Sequence, residues 1–140
     1  MLNVRLGPPL ALLGVVCACS SAETNSAYTK LSPDAGIRFN AATIGGEVAR
    51  KNGCLGLRGS DTIFRPFVFY ATPQISTREG RSAIRLGAQT VLEGEMVVAA
   101  GQVIPMDDVR GVSEQVTPDV CGKEGVLIRY FVKSKDGDVE

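Results

Sequence analysis

The chain has 140 residues, enough for one domain and too few for two with separate cores. Lysine plus arginine numbers 15 and aspartate plus glutamate 15, a balance without the basic excess that a nucleic-acid footprint needs. There is no histidine, which removes the usual general base and the commonest metal ligand.

Met1 to Ala22 has the three-part form of an export signal. Arg5 supplies the positive end, and Leu10 to Val16 is an apolar run too short for a membrane-spanning helix of about 20 residues. Pro8 and Pro9 interrupt the segment, and small residues follow. Val16-Cys17-Ala18-Cys19 resembles the lipobox of bacterial lipoproteins. The resemblance implies that residues 1–18 are removed as a signal peptide and that the Cys19 sulfur carries diacylglycerol. Ser20 after the modified cysteine is similar to the outer-membrane default, placing the protein on that membrane facing the periplasm. Cleavage after Ala22, at the small-x-small site Ser20-Ser21-Ala22, would instead release a soluble periplasmic protein.

Removing the leader leaves Cys54 and Cys121, with Cys19 acylated. An even pair in an oxidising compartment is expected to form a disulfide, and the long loop it closes is worth about 4 kcal/mol.

Residues 19–38 read as a lipid-anchored flexible tether, small and polar at its start. A β domain is expected over 39–134. Gly46 to Lys51 and Cys54 to Arg58 flank Asn52-Gly53, the pair that tolerates the positive φ of a tight hairpin turn. Thr62 to Tyr70 is an aromatic-rich strand in which Pro66 cannot donate to a ladder, which predicts an edge, bulge or bend. Ala71 to Arg81, polar and holding Pro73 and Gly80, reads as a loop. Strand pattern resumes over Ser82 to Leu86 and Gln89 to Leu92. Val91 to Val98, an apolar pair, a glycine between acids and further apolar residues, resembles a turn element of small closed barrels, including oligonucleotide/oligosaccharide-binding (OB) folds. Pro105 to Pro118 is acidic and breaker-rich, with one short helical turn at Met106 to Val109. Gly125 to Lys133 is the clearest strand, and 135–140 is a polar tail.

These segments predict an all-β domain: a small closed or partly open antiparallel barrel, OB-like, of about six strands. An early Gly-Cys-Leu strand and a late Cys-Gly before the last strand resemble small uncharacterised envelope lipoproteins with such barrels.

Few residues suit chemistry. Glu93 and Glu95 could share a strand face as paired carboxylates, but Gly94 between them favours a turn. Asp107, Asp108, Glu114 and Asp119 form an acidic loop without the spacing of a calcium loop. Serines lack an activating histidine, and no glycine-rich phosphate cradle is present. No metal and no cofactor are expected, and the chain reads as a non-enzyme. Arg65, Arg78, Arg81 and Arg85 surround the predicted 71–81 loop, near Tyr70. Arginine beside aromatics suits an anionic ligand; a solvated outer face is the plain alternative. The reading is a monomeric envelope lipoprotein, membrane-bound through its anchor, that binds a protein or anionic glycan through these five residues. A structural or assembly role in the envelope is the alternative, with a carboxylate-dependent hydrolase behind it.

Overall fold

A computed structural model describes residues 26–40 and 42–132. The expected export signal, Cys19 and the expected polar tail lie outside the described residues.

The Asn-Gly hairpin forms as expected. Strands β1 (Thr29–Leu31), β2 (Thr43–Lys51) and β3 (Cys54–Arg58) come first in the chain. Asn52 and Gly53 join β2 to β3 with φ of 53° and 85°, the two left-handed residues of a type I′ turn. That turn sets Glu47 opposite Arg58 and Lys51 opposite Cys54. β4 (Phe64–Phe69) pairs antiparallel with β3 only through Pro66. Beyond that residue β4 runs parallel to β1, with Thr29 beside Val68. The Ala27 carbonyl accepts the Leu55 N–H at 2.8 Å, so the stretch from Ala27 bridges β3 and β4 where they part. Pro66, with no N–H, sits at this change of partner.

β5 (Gln74–Arg78), β6 (Arg81–Leu86) and β7 (Gln89–Leu92) make a separate three-stranded sheet. β8 (Met96–Pro105), β9 (Ser113–Gln115) and β10 (Glu124–Val132) complete the strands. Short 3-10 turns lie at Met106–Asp108, Arg110–Val112 and Asp119–Cys121. The larger sheet has seven strands in the order β10-β8-β2-β3-β4-β1-β9, and β10 also pairs with β4. Strands β2, β3, β4, β10 and β8 therefore form a closed ring of hydrogen-bonded neighbours. The β10–β4 closure is parallel, with Val126 beside Phe67 and Ile128 beside Phe69.

Both faces of this parallel pair are buried, as parallel strands require. Phe67, Phe69, Val126 and Ile128 turn into the ring with Val48, Leu55 and Leu57. Val68 and Leu127 turn outward against Leu31, Met106 and Val109. Ile84, Leu86 and Val91 of the smaller sheet close over the first cluster. Close backbone approach explains two ring glycines. A Cβ on Gly56 would overlap the Arg65 carbonyl oxygen, and one on Gly101 would overlap that of Leu127.

Several expectations change. Ten strands form among the described residues rather than six, and the sheet is mixed rather than antiparallel. Thr29–Leu31, placed in the tether by sequence, is a buried strand. Ala71 to Arg81 is not a loop but carries β5, turning into β6 at Glu79 and Gly80 with φ of 53° and 82°. Gln-Ile-Ser-Thr-Arg has no apolar alternation because all five residues are exposed. The bridge between Cys54 and Cys121 is present, with Cα atoms 6.2 Å apart.

Candidate functional site

β2 changes partner at Glu47. Thr43 to Glu47 pair with β8, and Glu47 to Lys51 pair with β3. Gly46 permits the crossing, since a Cβ there would lie 2.6 Å from the Arg58 carbonyl oxygen and 2.9 Å from the Leu57 side chain. Two adjoining depressions flank the crossing and share Glu47 and Arg58. One, of about 690 Å³, runs over Gly45, Gly46, Ser60 and the 64% exposed Met96. The other, of about 310 Å³, is lined by Arg50, Arg58, Arg81 and Glu93.

Hydrogen bonds position the arginines of this second cleft. The Glu93 carboxylate accepts the Ser82 N–H at 3.0 Å and lies 3.7 Å from Arg50 Nε. Arg50 also donates to the Ser82 hydroxyl. Arg81 Nη1 donates to the Glu93 carbonyl at 3.1 Å. Arg58, half-buried between the two depressions, makes no ion pair among the described residues. Its nearest acidic neighbour across the strands is Glu47, which lines the same cleft outside ion-pair distance.

The cleft continues onto the β5–β6 hairpin through Arg81. Arg78 lies directly opposite Arg81, and Arg85 lies opposite Gln74. Strand periodicity puts Arg78, Arg81 and Arg85 on one face, away from Ile84, which is buried in the core. None of the three makes an ion pair among the described residues. Like charges directly opposite on a sheet repel, so this face carries a standing electrostatic cost.

The five residues singled out by sequence do not form one patch. Arg78, Arg81 and Arg85 share a face of the β5–β6 hairpin, with Arg78 beside Arg81 and Arg85 four residues further along β6, whereas Arg65 and Tyr70 serve elsewhere. Arg65, with its side chain 17% exposed, is held between Asp61 at 3.1 Å and Glu124 at 3.2 Å. The Ile63 N–H and then the Arg65 guanidinium hold the Asp61 carboxyl below the usual range. Tyr70 packs edge-on against Phe39, with ring centroids 6.0 Å apart, and donates its hydroxyl to the Ile37 carbonyl at 3.3 Å. Burial pushes the Tyr70 hydroxyl above its ordinary pKa, opposed by Arg129. Arg129 lies 5.2 Å from the Phe39 ring centroid and 6.0 Å from that of Tyr70. It occupies a bulge: Ile128 pairs with Gly101 and Tyr130 with Ala100, leaving Arg129 between them unpaired. The extra residue also turns Phe131 inward in place of Tyr130.

Sequence reading passed over Arg50 and Arg58. The Asn-Gly turn fixes the register that sets Glu47 opposite Arg58, but which arginines share a cleft depends on where β2 leaves β3.

Four of the six acids singled out by sequence have structural partners. Glu95 accepts the Leu92 N–H at 2.9 Å and Glu93 the Ser82 N–H, so both carboxylates brace the β7–β8 turn. Asp119 pairs with Arg110 at 2.8 Å and Glu114 with Lys30 at 3.4 Å. Among the described residues no three acids or cysteines gather to hold a metal ion. No family model, curated protein or solved structure matches the chain.

Proposed function

We infer that this is an exported, lipid-anchored binding module: an OB-like barrel that holds an anionic partner along a band of arginines. The observation that carries the reading is the convergence of Arg50, Arg58 and Arg81 on one cleft, continued by Arg78 and Arg85. Guanidinium forks meet carboxylate oxygens in pairs, and the unpaired charges of Arg58, Arg78 and Arg81 gain most from such a partner. A five-strand ring with one parallel closure suits the OB-like assignment, with the β5–β6–β7 sheet inserted between β4 and β8. The disulfide fits an oxidising compartment.

An anchor at Cys19 would limit how far the module stands from the membrane. Seven residues span Cys19 to Ser26, at most about 25 Å of extended chain. Ser26 lies beside Cys54, whose sulfur is 4.0 Å from the Ser26 carbonyl.

Two experiments test the two halves of this reading. In a bacterial expression host, Cys19→Ala should move the protein from membrane to soluble fraction and abolish incorporation of labelled palmitate. Continued membrane partition of that variant would remove the anchor from the account. Separately, the triple variant Arg58→Ala, Arg78→Ala, Arg81→Ala should keep its fold: Arg78 and Arg81 are exposed charges, worth less than about 0.5 kcal/mol each, and Arg58 is half-buried without an ion pair among the described residues. Capture of partners from solubilised envelopes should fall at least about tenfold, and wild-type capture should weaken with added salt. Full-strength capture by the triple variant would reduce the band to ordinary solvated surface.

A further inference from the structure

We propose that β5 is a docking edge on which an acidic protein segment adds as an extended fourth strand of the small sheet. The proposal rests on the anionic-partner reading and specifies how that partner is held.

Among the described residues β5 pairs only with β6, which leaves its other edge open to a further strand. The direction of its main-chain groups follows from the turn. A two-residue loop at Glu79-Gly80 makes Arg78 and Arg81 the hydrogen-bonded pair that closes the hairpin. Alternation then makes Thr77–Ser82 and Ile75–Ile84 pairs without mutual hydrogen bonds. Ser82 bears this out: its N–H donates to the Glu93 carboxylate and its carbonyl accepts the Glu93 N–H at 2.8 Å, both on the side away from β5. The N–H and C=O groups of Ile75 and Thr77 therefore point outward at the free edge, spaced as one strand presents them to another.

Charge selects the occupant. An added strand would lie about 4.8 Å from β5 and about 10 Å from β6. Alternate residues on its arginine-facing side would sit beside Arg78 and within reach of Arg81 and Arg85. Carboxylates there would relieve the repulsion between Arg78 and Arg81, which face each other without an acidic neighbour in ion-pair contact. A second copy of this chain is a poorer occupant. Pairing two β5 strands would add another set of arginines to the same face.

The test uses the full chain and a short peptide alternating glutamate with valine, followed by hydrogen exchange and titration. Binding should protect the Ile75 and Thr77 amides. Thr77→Pro removes an outward N–H and obstructs the edge while leaving the hairpin's own hydrogen bonds intact. It should weaken peptide binding about tenfold without changing any charge, whereas Arg78→Ala with Arg81→Ala should weaken it through charge alone. Exchange on the wild type keeps the test valid even if Thr77→Pro disturbs the hairpin. Peptide binding without protection at Ile75 and Thr77 overturns strand addition and leaves the anionic-partner reading standing. Binding of polygalacturonate but not of the peptide does the same and assigns the band to a glycan. Protection of those amides on self-association alone would make a second copy the occupant and overturn the proposal. Binding of neither probe, with no effect of the arginine changes on envelope capture, removes both readings.

Discussion

Replacing Cys54 and Cys121 together with alanine should lower the melting temperature by about 15 °C, read by calorimetry beside the oxidised wild type. The bridge closes a segment of 67 residues, and the chain-entropy model assigns a loop of that length about 4 kcal/mol. Its location supports the full effect. The bridge ties the turn before β10 to the start of β3, and both half-cystines are buried with Ala49 and Phe64. One hydrogen bond spans the same gap without it, from Asn52 Nδ2 to the Val120 carbonyl at 3.1 Å. That bond is exposed, so it replaces little of the constraint. An unchanged melting temperature in the double variant would mean that β10 is held in place without covalent help.

Phe67→Ala should destabilise the domain by about 4 kcal/mol, seen as a lower urea midpoint with an unchanged slope. Phe67 is 0% exposed. Its ring lies 5.3 Å from Phe69 and 5.8 Å from Phe131, the latter contact T-shaped. The cavity left by alanine could not close easily, because the Phe67 backbone lies in register with Val126 on the closing strand. Ring closure holds the surrounding walls, and an unfilled cavity adds its own cost to the lost apolar burial. A loss below about 1 kcal/mol would show that the ring relaxes around the vacancy.

The parts of this fold that were legible in the sequence are those with local causes. Asn52-Gly53 needs no tertiary contact to prefer positive φ, and the run from Val126 to Ile128 is apolar because both faces of β10 are covered. The bridge followed from counting cysteines once the leader was set aside. What escaped depends on distant partners. β1 and β9 have three residues each, too few to show a period, and they exist as strands because β4 and each other lie alongside. β5 shows no alternation because neither of its faces is buried. The parallel closure was invisible for a related reason: hydropathy reports which face of a strand is covered, but not the direction of its neighbour. The candidate site was half legible. Arg78, Arg81 and Arg85 lie near one another along the chain, and a hairpin brings such residues together. Arg65 stands apart from that group, paired locally with Asp61 and, once β10 lies beside β4, with Glu124.

The parallel pairing of β4 with β10 also orders events in time. Its partners lie about sixty residues apart along the chain, and such non-local contacts slow folding because their loop entropy is lost before any pairing compensates. The β2–β3 and β5–β6 hairpins can form as soon as their residues are made. β10 arrives last, and it supplies a neighbour to both β4 and β8. Until Glu124 to Val132 is available, those two strands each present an open edge, and the inward phenylalanines of β4 lack their covering strand. A chain stopped before Glu124 would remain in that state permanently, a template for pairing with other chains. The last nine-residue strand thus separates a closed ring from one with two unpaired edges.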